Sequence, residues 1–229
     1  MAEELRDLPY QRTVDNGGAT LTGDEIIPAS PSASYSRLPP VDRGRQAYSF
    51  LAASFVLEGL VWGLPFSFGV FQPYYNSHAS FASNSTGVAA IGSTATGVAY
   101  FSAAIFSIAM QRWPRFRQPA MVLGLAISAI SLIAASFANS VSGLLATQGV
   151  LYALGSIALY MPANLFLDEW FVARKSLAFG IMWVGTGCAG LVVPFVMEWL
   201  LSAYGFRTAL RAWAVVMVSG LRQTLPLLY

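Results

Sequence analysis

One acidic residue, Glu58, lies within an apolar segment, where a charged side chain is energetically costly. Glu58 stands near the middle of an apolar run over residues 46–75, and a carboxylate at mid-bilayer depth costs about 2.5–3.5 kcal/mol even on insertion scales. Because no basic residue occurs at comparable depth in any apolar run, Glu58 must be protonated or find its partner in polypeptide outside this chain; both options suit proton-coupled transport. The remaining alternative is a neutral Glu58 that hydrogen-bonds Gln148 or Thr96 and serves only packing.

The other residue types that carry chemistry are scarce. The chain has one cysteine, Cys188, and one histidine, His78, so an intrachain disulfide, a thiolate zinc site and a histidine-box iron centre are excluded. The sequence also lacks the Gly-x-Ser-Gly motif of intramembrane serine proteases and the Asn-Pro-Ala motifs of aquaporin-like channels. We therefore expect no enzyme: no catalytic residues, no metal and no cofactor.

Composition places most of the chain in a membrane. Of its 229 residues, 55% are hydrophobic and 10% are charged, against roughly 25% charged residues in an ordinary soluble domain. Half of the charged residues fall in residues 1–45, and the rest of the chain contains apolar runs longer than about 18 residues, which is typical of transmembrane helices. Because the basic residues form short clusters between these runs, nucleic acid is not an expected partner.

The first 45 residues differ from the rest. They carry Glu3, Glu4 and Asp7 where a signal peptide needs basic residues, and the stretch from Thr20 to Pro40 is rich in Ser, Pro, Ala and Gly. We expect residues 1–45 to form a disordered tail and residues 46–229 to form a six-helix transmembrane domain.

Six apolar segments follow the tail, separated by short polar connections. They run over residues 46–75, 85–110, 119–138, 143–167, 175–201 and from 208 onward. The sixth is marginal, since its uninterrupted apolar stretch, residues 212–219, is too short to cross a bilayer alone. Eight basic residues near the segment ends share one side of the membrane: Arg37, Arg43, Arg45, Arg112, Arg115, Arg117, Arg174 and Lys175. The excess of positive charge on that side predicts a cytoplasmic N-terminus.

A weak internal repeat relates the two halves of the domain. A shift of 90 residues aligns 58–65 with 148–155, and 95–99 with 185–189. Because three spans are an odd number, two such triplets must cross in opposite directions, which predicts a 3+3 inverted repeat, a recurrent transporter architecture. Helix breakers at 63–65 and at 155 with 161–162 predict interruptions in the first and fourth segments. The small residues between Gly180 and Gly190 predict close helix packing.

Three blocks resemble a known family, the fungal monocarboxylate-porter branch of the major facilitator superfamily. Residues 57–63, Leu-Glu-Gly-Leu-Val-Trp-Gly, resemble its acidic-Gly-aromatic signature. Residues 169–180 resemble its loop into the fifth helix, and residues 204–207, Tyr-Gly-Phe-Arg, resemble its turn before the sixth. The run Arg112-Trp-Pro-Arg-Phe-Arg departs from the superfamily's Asp-Arg-x-Gly-Arg pattern, so a conformational role there rests only on its positive charge.

The resemblance implies the N-terminal six-helix half of a twelve-helix secondary transporter. It implies a small organic anion, monocarboxylate-like, as substrate, with H+ as a possible coupling ion and the bilayer, a missing C-terminal half or a second copy as partners. The chain would then be a truncated form that is not competent alone, in the plasma membrane rather than an organelle. The alternative from another class is a non-transporting truncated membrane protein or helix-pairing scaffold.

Particular residues follow from this implied fold. The first and fourth helices would line a central cavity, so Glu58, Trp62, Tyr152 and Asn164 are expected to face one groove, with Gln148 as a further candidate. The cytoplasmic gate candidates are Arg112, Arg115, Arg174 and Lys175.

Two groups of charged residues are expected outside the cavity. Glu198 and Arg211 would pair near the outer interface, and Asp168 with Glu169 would face Arg174 and Lys175 in a solvated network.

Overall fold

The computed structural model describes residues 44–224, with side chains as far as Arg222. The predicted tail, residues 1–45, lies outside the described residues except for its last two, and Arg45 already begins the first helix. The disorder predicted for the tail therefore stays a prediction.

Residues 44–224 contain helices, turns and no strand. The helices are α1 Arg45–Phe66, α2 Phe68–Ser77, α3 Ser85–Arg112, α4 Arg117–Ser136, the short α5 Val141–Leu144, α6 Tyr152–Trp170 and α7 Lys175–Thr224, with a π-helical turn at Leu145–Leu151. Five stretches are long and apolar enough to cross a membrane: Arg45–Ser77, Ala82–Arg112, Pro114–Ser136, Val141–Trp170 and Lys175–Arg222. The predicted all-α membrane class is thereby confirmed for this part of the chain.

The first segment is interrupted, but later than predicted. The helix α1 runs through residues 63–65 and ends at Phe66, and α2 begins at Phe68. Ser67, between the two helices, donates from its backbone N–H and from its hydroxyl to the carbonyl of Gly63, at 3.1 and 2.7 Å. The first span is two helices in sequence, and the break lies just after the residues predicted for it.

The interruption predicted at Gly155 and 161–162 is wrong. The helix α6 runs through both Gly155 and Pro162, and the irregular turn of this segment lies earlier, at Leu145–Leu151. A Cβ at position 155 would lie 2.7 Å from the Ser128 hydroxyl and 2.8 Å from its backbone nitrogen. Glycine there permits α6 and α4 to approach closely, and it does not break the helix.

The last helical stretch bends sharply at Gly205. This residue has φ 77° and ψ 169°, a backbone conformation that L side chains disfavour, and it divides α7 into a first arm (residues 175–204) and a second arm (residues 206–224). Contacts with α1 occur in opposite orders on the two arms. Positions 59 and 63 of α1 meet residues 189 and 193 of the first arm, whereas positions 60 and 63 meet residues 220 and 213 of the second. The arms therefore run antiparallel along α1.

Only part of the small-residue stretch of the first arm is explained by close packing. A Cβ at Gly185 would collide with the carbonyl oxygen of Phe55 on α1, whereas Gly180 and Gly187 have nothing within 4 Å of the position a Cβ would take. The prediction that close packing accounts for the whole stretch is corrected: Gly185 and Ala189 lie against α1, whereas Gly180 and Gly187 do not.

Gly185→Ala is expected to lower the free energy of unfolding by about 1–3 kcal/mol, the usual cost of overpacking, because the obstructing atom belongs to backbone. Gly180→Ala on the same arm is the matched control; it adds a methyl group to open space and replaces a poor helix former, so it should raise stability by less than about 1 kcal/mol. Unfolding in mixed detergent micelles, followed by circular dichroism, measures both. Equal stability of the two variants would contradict the packing described for α1 and α7.

Candidate functional site

Aromatic residues from four helices surround Glu58 in an open groove of about 340 Å³. The lining residues are Glu58, Trp62 and Phe66 of α1, Tyr100 of α3, Tyr160 of α6, and Trp183, Thr186 and Gly187 of the first arm. Trp62 contacts two of the other aromatic rings. Its ring centroid lies 5.8 Å from that of Tyr100 and 6.0 Å from that of Tyr160, and the Trp62 and Tyr160 rings meet edge-on at 89°. The groove thus has aromatic walls around a single carboxyl group.

The two oxygens of Glu58 have different surroundings. Its side chain is buried, and Oε1 accepts hydrogen bonds from the Thr186 hydroxyl at 2.7 Å and the Tyr160 hydroxyl at 3.4 Å. The other oxygen, Oε2, is buried without a hydrogen-bond partner in the described part of the chain. Leaving a buried polar atom unsatisfied costs about 1–3 kcal/mol. A proton on this oxygen would remove the charge that is otherwise buried there without a partner.

The hydrogen-bond partners named for Glu58 from the sequence are wrong. Gln148 instead accepts from the Tyr75 hydroxyl at 2.9 Å, and Thr96 donates to its own helix, to the carbonyl of Gly92. One of the two actual donors, Thr186, is the residue that the 90-residue shift pairs with Thr96. That shift was the sequence signal that could have pointed to it.

Two of the five residues expected from the sequence to line a cavity do line this groove. Glu58 and Trp62 line it, whereas Tyr152 is buried inside the bundle with its hydroxyl donating to the Val61 carbonyl at 3.0 Å. Asn164 donates to the Tyr160 carbonyl at 3.1 Å and does not line the groove. The expected shared groove is corrected accordingly: the fourth segment contributes Tyr160, and Gln148, Tyr152 and Asn164 lie elsewhere.

A charged cluster lies at the opposite end of α6 from the π-helical turn. Lys175 pairs with Asp168, as expected, but Glu169 pairs with Arg117 at 2.5 Å and not with the predicted basic residues. The Arg117 side chain is largely buried, and its Nε donates to the Met110 carbonyl at 3.1 Å. This pair ties the start of α4 to the ends of α3 and α6.

The sequence contains a signal for Arg117 that the charge count missed. On α4 the buried positions after 117 are 121, 124, 125 and 128, which is helical spacing, so Arg117 begins the buried face.

The four gate candidates Arg112, Arg115, Arg174 and Lys175 are all exposed near this end of the bundle. Arg115 lies 4.9 Å from the ring centre of Phe116, within cation–π range.

The predicted pair between Glu198 and Arg211 is also wrong. Within residues 44–222, the Arg211 guanidinium Nε donates to the Ser136 hydroxyl at 2.9 Å, and the charged end of Arg211 lies 4.6 Å from the ring centre of Phe137. Arg211 therefore binds neutral and aromatic groups of α4 and the turn after it.

Known proteins similar to this chain are membrane transporters. No protein-family profile matches the sequence, but many curated proteins do. Monocarboxylate transporter 13 of Bos taurus is 30% identical over 175 residues, covering 76% of this chain and 40% of that protein. The fujikurins efflux protein of Gibberella fujikuroi is 29% identical over 195 residues, covering 85% and 41%. The probable transporter MCH2 of Saccharomyces cerevisiae is 27% identical over 227 residues, covering 96% and 45%.

These relatives agree with the membrane-spanning helices described above. The chain spans less than half the length of each of the three. Two are named as transporters and one as an efflux protein, and none of the three is named as an enzyme. The chain belongs to the major facilitator superfamily of membrane transporters, in its monocarboxylate-porter-like branch.

Proposed function

We propose that this chain forms one half of a proton-coupled secondary transporter for small organic solutes of the monocarboxylate type. The observation that carries the proposal is the buried, unpartnered Oε2 of Glu58 at an open aromatic groove. Aromatic walls suit the apolar body of an organic acid, and the free oxygen can take up a proton. The names of the relatives support the substrate class.

The geometry supplies a physical reason for coupling. Two negative carboxylates in one low-dielectric groove repel strongly, so an organic anion binds beside Glu58 only when Glu58 carries a proton. In that state Glu58 is neutral and no longer repels the anion, while Thr186 and Tyr160 hold Oε1 in place. Proton and anion then occupy the groove together and leave it together.

We propose further that the two arms of α7 are the fifth and sixth spans of a 3+3 inverted repeat. A Cβ on Gly59 of the first span would lie 3.3 Å from the carbonyl oxygen of Gly185 in the fifth. A Cβ on Gly149 of the fourth span would lie 3.5 Å from the carbonyl oxygen of Ile91 in the second span. The 90-residue shift relates span one to span four and span two to span five. The contact between spans one and five therefore corresponds to the contact between spans four and two, as an inverted repeat requires.

The groove is open, and alternating access needs it to be closed. A second six-span half, or a second copy of this chain, would complete the cavity, in keeping with the greater length of the relatives. A chain that inserts but binds no solute would support the alternative, a non-transporting helix-pairing scaffold. Uptake of labelled pyruvate into proteoliposomes by this chain joined to a C-terminal half of a relative, compared between the fusion with Glu58 and the same fusion with Glu58→Gln, tests the proposal.

The membrane orientation is part of the same proposal: a cytoplasmic N-terminus in the plasma membrane, with Arg112, Arg115, Arg174 and Lys175 at the cytoplasmic gate. In a Cys188→Ser background, a cysteine at position 139 should react with an impermeant maleimide in intact cells. A cysteine at position 115 should react only after permeabilisation, because basic connections stay inside. The reverse pattern of labelling would contradict this orientation.

A further inference from the structure

Two arginines of the second arm have no carboxylate partner in the described part of the chain. Arg207 and Arg211 stand four residues apart and therefore on the same helical face. Arg207 donates to the side-chain oxygen of Asn139 at 2.8 Å, and Arg211 donates to the Ser136 hydroxyl at 2.9 Å. Both acceptors are neutral, so two exposed positive charges lie side by side uncompensated, an arrangement that a bound anion would stabilise.

An apolar groove begins beside these charges. It encloses about 370 Å³ between α4 and the second arm, with Arg211 at one end and the side chains of Ala129, Ile133, Val215 and Val218 along its length. Residues 211–218 rise by about 10 Å along the helix axis, which is enough for a substantial part of one acyl chain.

The position of this groove makes lipid its natural occupant. Both elements that form it belong to membrane-spanning stretches, and neither α4 nor the second arm lines the groove at Glu58. A partner that closes the Glu58 groove therefore does not need to cover this one. Arginines near the ends of spans place their charged groups at the level of lipid headgroups.

We propose that this groove binds one glycerophospholipid, with its phosphate held by Arg207 and Arg211 and one acyl chain lying against Val215 and Val218. Since a phosphate bound by two guanidiniums favours a headgroup that adds no positive charge, anionic phosphatidylglycerol should bind more tightly than zwitterionic phosphatidylcholine.

Native mass spectrometry of the purified full chain, delipidated and titrated with phosphatidylglycerol in mixed micelles, measures this binding. Each basic residue near a membrane surface contributes about 1 kcal/mol to binding of anionic lipid. Arg211→Gln should therefore weaken binding about fivefold, and the double variant Arg207→Gln with Arg211→Gln about 30-fold. Val218→Trp fills the groove without changing charge, and it should weaken binding by a similar or greater factor.

Arg222→Gln is the matched control, because Arg222 is exposed at the other end of the same arm and outside the groove. It should leave binding unchanged. Equal weakening by Arg222→Gln and Arg211→Gln would overturn the proposal in favour of general attraction between basic residues and anionic lipid. If variants fail to fold, the wild type decides: retention of dioleoylglycerol as strongly as phosphatidylglycerol would overturn the phosphate site.

Discussion

Joined to the C-terminal half of the yeast relative MCH2, this chain is expected to move labelled pyruvate into proteoliposomes, whereas the 229-residue chain alone is expected to move none. The reason is geometric. The groove at Glu58 is open along one side, and a solute can alternate between the two faces of a membrane only inside a cavity that is closed on each face in turn. Initial rates of pyruvate uptake, corrected for empty liposomes, measure the difference.

The yeast C-terminal half reconstituted alone is the control, and it should also be inactive. Robust uptake by the 229-residue chain alone would contradict the need for a second half and would point to two copies forming one cavity. An inserted and folded fusion that transports nothing would favour the helix-pairing scaffold.

Glu58→Gln in the same fusion is expected to abolish the use of a pH gradient while leaving insertion intact. If each pyruvate enters with one proton, an inward gradient of one pH unit supports about tenfold accumulation, because one unit corresponds to 1.36 kcal/mol. Glutamine keeps the shape of the side chain and an oxygen for Thr186 to donate to, but it cannot release a proton. The variant should therefore equilibrate pyruvate without accumulating it.

Glu198→Gln provides the matched control for this experiment. Glu198 is an exposed acidic residue of the first arm that does not line the groove, so its variant should accumulate pyruvate as the wild type does. Tenfold accumulation by Glu58→Gln would return Glu58 to a packing role. Loss of accumulation in both variants would show that accumulation depends on acidic charge in general, and it would contradict a specific role for Glu58.

The spans could be predicted from the sequence because a bilayer fixes their length and excludes charge. The second segment, predicted over residues 85–110, is α3 over Ser85–Arg112, and the third begins and ends within two residues of α4. The break in the fourth segment could not be placed in this way. Glycine serves both flexible turns and close helix contacts, and only the neighbouring Ser128 shows which use applies at Gly155.

The candidate site was predictable in its key residue and not in its surroundings. Glu58 stands out because an acid in an apolar run is costly wherever the chain folds. Its donors Thr186 and Tyr160 are 128 and 102 residues away along the chain, and no local pattern encodes such pairings. The same holds for Arg117, whose partner Glu169 is 52 residues away and was assigned to nearer basic residues.

Direct measurement of proton entry tests the role of Glu58 most closely. Proteoliposomes that contain the fusion and a trapped pH-sensitive dye receive external pyruvate at equal pH on both sides. The wild-type fusion should acidify the lumen as labelled pyruvate enters, whereas Glu58→Gln should admit pyruvate with no acidification beyond that of empty liposomes. Acidification by Glu58→Gln equal to that of the wild type would contradict the assignment of proton coupling to Glu58.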